Sequence, residues 1–186
     1  KFNLSIVKNK LQFDTEESGN LHNYKEYQNL GIEPNYNYDT RDIYIDPTKG
    51  CLINFSFNYF YGLEKSDSYS NFYVEYNQYN KILEFRNLTL INRTKLLFQD
   101  ESHIPFFNYK SLGSEDFVRG YSPYPKQNEL SIRKRIQCSQ IFTQSIEIQY
   151  TVLEKMSYDG VEFGIDNLWF IDFGLGGDTI EELKLN

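Results

Sequence analysis

The chain has 186 residues, 40% hydrophobic and 24% charged, with 16 Tyr, 15 Phe, one Trp and no alanine. Strong helix formers are thin beside Tyr, Phe, Ile and Asn, which excludes an all-helical fold and favours strands. With 19 Lys and Arg against 26 Asp and Glu, the formal charge of −7 has the wrong sign for tracking phosphates, so no nucleic-acid partner is expected.

Phe2 to Phe13 reads as a first strand and Asn35 to Arg41 as a second. Pro47-Thr48-Lys49-Gly50 is turn chemistry, in which proline sets φ and glycine supplies a left-handed position. From Cys51 to Tyr61 the residues Ile53, Phe55, Phe57, Tyr59 and Tyr61 alternate with a mostly polar set. Gly62 to Ser68 then turns the chain into a return strand carrying Phe72, Val74 and Tyr76, so the pair is a predicted hairpin. Leu88 to Phe98 is a further predicted strand, its apolar face interrupted by Asn92 and Thr94.

Glu101 to Lys126 is the longest irregular stretch and holds three of the five prolines. A loop of that length in a compact β protein is usually functional. Beyond it, Phe142, Ile146, Ile148, Tyr150 and Val152 face away from Glu147, Gln149 and Thr151. The alternation returns from Val161 to Gly174, with Trp169, Ile171 and Phe173 on one face and Phe170, Asp172 and Gly174 on the other. Gly174-Leu175-Gly176-Gly177 reads as a strand-end turn.

Roughly seven antiparallel strands without a helix-length insert predict an all-β meander, in one domain over residues 1–186. Two architectures fit. In a soluble sandwich the apolar face points to a shared core; in a membrane barrel it points to lipid and the polar face lines a lumen. Alternation alone does not choose between them. No apolar run approaches the roughly 20 residues of a membrane-spanning helix, which excludes helical spans only. Lys1 to Lys10 lacks the apolar stretch and small-residue site of a secretory signal.

Catalytic and metal-binding signals are weak. Cys51 and Cys138 stand far apart without a CxxC, which suggests neither a zinc site nor a disulfide framework and leaves only a single long-range bridge open. His22 and His103 have no carboxylate or cysteine at ligand spacing, and no Gly-x-Ser-x-Gly elbow occurs. Asp39 with Asp42, and Glu181 with Glu182, read as solvated charges. Arg133, Lys134 and Arg135 suit either anionic headgroups or a solubilising loop end. Neither an enzyme nor a cofactor is expected.

Three segments carry a resemblance. Tyr38-Asp39-Thr40-Arg41-Asp42, followed by Asp46-Pro47-Thr48-Lys49-Gly50 and an aromatic strand, is the first. Ile104-Pro105-Phe106-Phe107 with Leu112-Gly113-Ser114-Glu115-Asp116-Phe117-Val118-Arg119-Gly120-Tyr121 is the second, and Phe170-Ile171-Asp172-Phe173-Gly174 the third. In order and spacing they resemble the bacterial surface antigen family, the outer-membrane assembly barrels of BamA and TamA type. The second segment is similar to that family's long loop with its Val-Arg-Gly-Tyr or Val-Arg-Gly-Phe hallmark, and the third to its Phe-x-Asp-x-Gly strand. The resemblance is clearest over residues 30–177, and Ser114 stands where the family often has glycine. Family barrels continue through further strands to an aromatic C-terminal residue, whereas this chain stops at Leu185-Asn186, which implies a fragment, a partly covered barrel or an unusually short relative.

The resemblance implies part of a transmembrane outer-membrane β-barrel in a Gram-negative bacterium, with the long loop folded into the lumen. It implies assembly, insertion or translocation of other outer-membrane proteins by non-covalent strand templating. The partners implied are the outer-membrane bilayer, unfolded outer-membrane clients and accessory subunits. A barrel of the same family acting as anchor or pore for an attached or secreted domain is the alternative, and a soluble β-sandwich binding module is a further one. The site residues carried over are Val118, Arg119, Gly120 and Tyr121 in the loop and Phe170, Asp172 and Gly174 on the strand, with Arg119 and Asp172 expected to pair. Pinning a long loop loses much entropy, and an Arg fork on a carboxylate offers charge-assisted, directional bonds to offset it. Tyr121 and Phe170 are expected to pack beside the pair.

Overall fold

The structure is a computed structural model that describes residues 2–15, 23–63, 67–100, 110–113, 117–119 and 137–179. His22, His103, Arg133, Lys134, Arg135, Glu181 and Glu182 lie outside the described residues.

Among the described residues, seven long strands form one antiparallel sheet in chain order: β1 (Phe2–Thr15), β2 (Asn23–Asp39), β3 (Gly50–Leu63), β4 (Tyr69–Leu83), β5 (Leu88–Gln99), β8 (Gln140–Tyr158) and β9 (Val161–Gly177). Two short strands, β6 (Lys110–Ser111) and β7 (Gln137–Cys138), pair with each other between β5 and β8. They draw together the two limbs of the long loop. The described strands leave the sheet open, with β1 and β9 at its edges.

Register explains the alternation. Ile53, Phe55, Phe57 and Tyr59 of β3 lie opposite Tyr76, Val74, Phe72 and Ser70 of β4, so one face of the pair is largely aromatic and aliphatic. Phe55 and Phe72 meet edge to face at 5.1 Å between ring centroids. The same face continues across β8 and β9, where Ile146 pairs with Ile171 and Ile148 with Trp169. These apolar side chains are the exposed ones: Ile171 is 77% exposed and Trp169 67%. The opposite face buries polar groups instead, among them Asn77, Thr89, Thr143, Ser145 and Glu147.

A water-soluble sandwich requires the reverse, apolar side chains inside and polar ones outside. An apolar exterior over a polar interior is the pattern of a membrane barrel. The all-β meander is therefore part of a transmembrane β-barrel whose polar face is the lumen side, and the sandwich alternative falls. No described helix is long and apolar enough to cross a membrane, and the strands do so instead.

The turns follow local chemistry. Gly50 has φ of 98°, and a Cβ there would strike the backbone oxygen of Thr40. Only glycine closes the β2–β3 connection in this way. The Asp42 carboxylate accepts from the amides of Ile43, Thr48 and Lys49 and from the Thr48 hydroxyl. Asp39 takes Arg41 Nε at 2.9 Å and Nη2 at 2.7 Å. Asp39 and Asp42 are exposed, as the reading of solvated charges expects, and they carry these bonds as well. Both are committed to this turn, because its unpaired backbone donors and its one arginine need acceptors. The reading of Gly174 to Gly177 as a turn is corrected: β9 runs through Gly177, with Gly174 opposite Thr143 and Gly177 opposite Gln140.

Candidate functional site

Of the long loop between β5 and β8, the described residues Leu112, Phe117, Val118 and Arg119 lie against the polar face. Its feet are tied to the sheet where the Gln99 amide donates to Ser139 O at 2.8 Å and the Asp100 amide to Ser70 O at 3.0 Å. Above these bonds Leu97, Cys138 and Ile141 form a small buried cluster, with Tyr73, Leu112 and Phe117 packed against it. Cys51 and Cys138 are both free thiols.

At the loop tip the Val118 amide donates to Leu112 O at 3.1 Å, closing a tight return that aims Arg119 at the wall. Gly174 receives the tip. A Cβ built there would lie 2.5 Å from Val118 Cγ2 and 2.9 Å from Leu112 Cδ1, both nearer than real Cβ contacts allow. Gly176 plays the same part for Cys138, whose Sγ would collide with an added Cβ. The glycines that resembled turn punctuation make a smooth patch of wall on which the loop rests.

Arg119 and Asp172 are brought together. Arg119 Nε donates to Asp172 Oδ2 at 2.8 Å and Nη2 to Oδ1 at 2.6 Å, a two-pronged fork. The Arg119 backbone amide adds a third bond to Oδ2 at 3.0 Å. Such charge-assisted pairs are the strong class of hydrogen bond and are specific in direction. The Arg119 guanidinium also lies 3.7 Å from the centroid of the Phe170 ring. Phe170 therefore stacks on the arginine itself. Gly120 and Tyr121 lie outside the described residues.

Two residues that the sequence did not single out complete the site. Arg119 Nη2 also reaches Ser145 Oγ at 2.8 Å and Glu147 Oε1 at 2.7 Å, both on β8. Ser145 Oγ in turn lies 2.7 Å from Asp172 Oδ1 and 3.2 Å from Glu147 Oε1. A hydroxyl has one proton, so Ser145 serves one carboxylate at a time while accepting from Arg119. The only hint in the sequence is that Ser145 and Glu147 share the polar face of β8, two residues apart. Nothing local ties them to a loop residue 26 and 28 positions away.

Arg93 of β5 closes the cluster from the far side. Its Nε is 3.1 Å from Glu147 Oε2, and its Nη1 donates to the Tyr79 hydroxyl at 3.3 Å. Glu147 is 1% exposed, so its charge must be met by neighbours rather than water. Arg93 and Arg119 against Glu147 and Asp172 leave the cluster neutral. Among the described residues no group of His, Cys, Asp and Glu is arranged to hold a metal. The arrangement is suited to clamping a loop to a wall, with no activated nucleophile in it.

The family model of the Omp85 superfamily domain matches residues 1–179. Members of that superfamily are outer-membrane proteins of Gram-negative bacteria and of organelles, and they insert or translocate proteins rather than act as enzymes. No curated protein matches the chain. A match that spans nearly the whole sequence, together with an open meander of membrane strands and a loop clamped to the lumen wall, leads to one assignment: the chain belongs to the Omp85 superfamily.

Proposed function

We propose that this protein assembles or inserts other outer-membrane β-barrel proteins in the outer membrane of a Gram-negative bacterium, without covalent chemistry. Its clients are unfolded outer-membrane proteins, helped by accessory subunits. The step is templated strand addition, in which an incoming strand pairs with unsatisfied backbone groups at a barrel seam. The observation that carries this reading is the Arg119 clamp onto Asp172, Ser145 and Glu147. It ties Val118 and Arg119 of the long loop to the polar face of β8 and β9. Val118, Arg119, Gly120 and Tyr121 act as the loop element, and Phe170, Asp172 and Gly174 as its seat.

Depletion of the full-length protein in its own host, followed by quantitative outer-membrane proteomics, tests this reading. A broad fall in unrelated β-barrel proteins before growth stops is the expected result. Loss of one cargo alone would instead assign a dedicated pore or anchor for an attached or secreted domain.

A further inference from the structure

We infer that Arg93 is a positioning residue that competes with Arg119 for Glu147, which makes the loop clamp a reversible latch. The inference rests on the reading of the clamp as a working part of the barrel interior.

Glu147 lies between two arginines that hold it differently. Its Oε1 takes Arg119 Nη2 at 2.7 Å. Its Oε2 is buried and accepts no hydrogen bond, although Arg93 Nε is only 3.1 Å away, because the N–H is not aimed at it. Tyr79 holds Arg93 in this off-line position: its hydroxyl accepts from Nη1 at 3.3 Å, and its ring centroid is 5.7 Å from the guanidinium carbon. Arg93 thus supplies charge to Glu147 while spending its best-directed donor on Tyr79.

When Arg119 leaves, Glu147 and Asp172 lose their shared partner. A buried carboxylate stripped of its counter-ion is strongly destabilising, and that cost would normally lock the loop in place. Arg93 removes part of it. A cavity of about 180 Å³, whose lining includes Arg93, Lys95, Phe117, Arg119, Ser145 and Glu147, leaves space for Arg93 to turn onto Oε2. The vacated site then keeps Arg93 paired with Glu147, with Lys95 on the same cavity wall, and is ready to accept Arg119 again.

This competition fixes signs that a plain brace does not. Arg93→Gln makes the vacated site more negative and removes a like charge near Arg119, so both changes favour the docked loop. Tyr79→Phe keeps the ring but releases Arg93 toward Glu147, so it favours the undocked loop. If Arg93 were a brace, its removal would loosen the clamp.

Hydrogen exchange at the Arg119 amide reads docking directly, because that amide donates to Asp172 Oδ2 at 3.0 Å. The full-length protein is measured in lipid nanodiscs without any client, each variant first checked for heat-modifiable mobility of the folded barrel. Arg93→Gln is expected to slow exchange by roughly tenfold, within the range of couplings in one charge network. Tyr79→Phe is expected to speed it by a similar factor. Unchanged or faster exchange in Arg93→Gln overturns the inference. Should that variant fail to fold, unchanged or slower exchange in Tyr79→Phe overturns it equally. Client insertion is scored separately, so a failed latch leaves the proposed transport role standing, and a failed transport role leaves the exchange order intact.

Discussion

Arg119 stacks on the Phe170 ring at 3.7 Å while its fork holds Asp172, the next same-face residue of β9. A single strand therefore offers both an aromatic platform and a carboxylate at the spacing that one guanidinium covers. This accounts for a phenylalanine beside Asp172 on the lumen face. It also argues for arginine over lysine, since a planar, delocalised cation stacks and forks together and a compact ammonium does neither as well. Phe170→Leu, which keeps bulk but removes the ring quadrupole, is expected to cost about 0.5–2 kcal/mol of barrel stability. Phe170→Tyr is expected to cost less. Thermal midpoints from heat-modifiable mobility check the order, and equal losses in the two variants would remove the stacking term.

Arg119→Ala leaves Asp172 and Glu147 buried without their shared donor, a change that typically costs about 3–5 kcal/mol. Adding Asp172→Asn should then do little further damage, because its partner is already gone. A double-mutant cycle measures the coupling. Additivity within about 0.5 kcal/mol would mean that the two side chains do not interact in the membrane.

The strands and their faces were legible because a barrel writes lipid and lumen into alternate residues. What the sequence hid were positions whose meaning depends on a distant partner. Asn35 to Arg41 was the visible part of β2, yet the strand begins at Asn23. Gly31, within the part of β2 that the sequence reading did not reach, lies opposite Phe60, whose ring would stand 2.7 Å from an added Cβ. The glycine makes room for the aromatic ring across the ladder. Asn92 and Thr94 weakened the apolar face of β5 for a similar reason. Gln144 of β8 accepts from Thr94 Oγ1 at 2.8 Å and donates to Asn92 Oδ1, so the three polar groups satisfy one another on the outer face. Glu147 and Arg93 stayed hidden because alternation reveals which face a residue occupies and not which loop descends onto it.

Gly174 is the tightest steric statement at the site. Gly174→Ala places a methyl group against Val118 and Leu112, so the loop tip must lift or the strand must shift. Overpacking of this kind costs about 1–3 kcal/mol. The loss should be recovered in part by Val118→Ala, which removes the nearer of the two obstructing groups. Proteolysis of the loop in the folded barrel gives the readout: faster cutting in Gly174→Ala, slower again in the double variant. Equal cutting in all three proteins would mean that the tip does not rest on this residue.

At the other end of the strands, Asp42 gives the β2–β3 connection a defined acid response. Burial is the largest single influence on its carboxyl and raises it, but bonds from the Thr48 hydroxyl and the amides of Lys49, Thr48 and Ile43 together outweigh this and lower it from 3.8 to about 2. A carboxyl depressed on folding stabilises the folded state above its unfolded value, and that contribution is lost as pH falls through the folded value. The Asp42 contribution is therefore complete above about pH 4 and disappears toward pH 2. Asp42→Asn keeps one acceptor oxygen and loses the charge, so at pH 7 its thermal midpoint should lie roughly 2–4 °C below that of the parent. The gap should close as both proteins are taken to pH 2, since the parent carboxylate is then protonating. A gap that stays constant across this range would show that the turn depends on the shape of Asp42 and not on its charge.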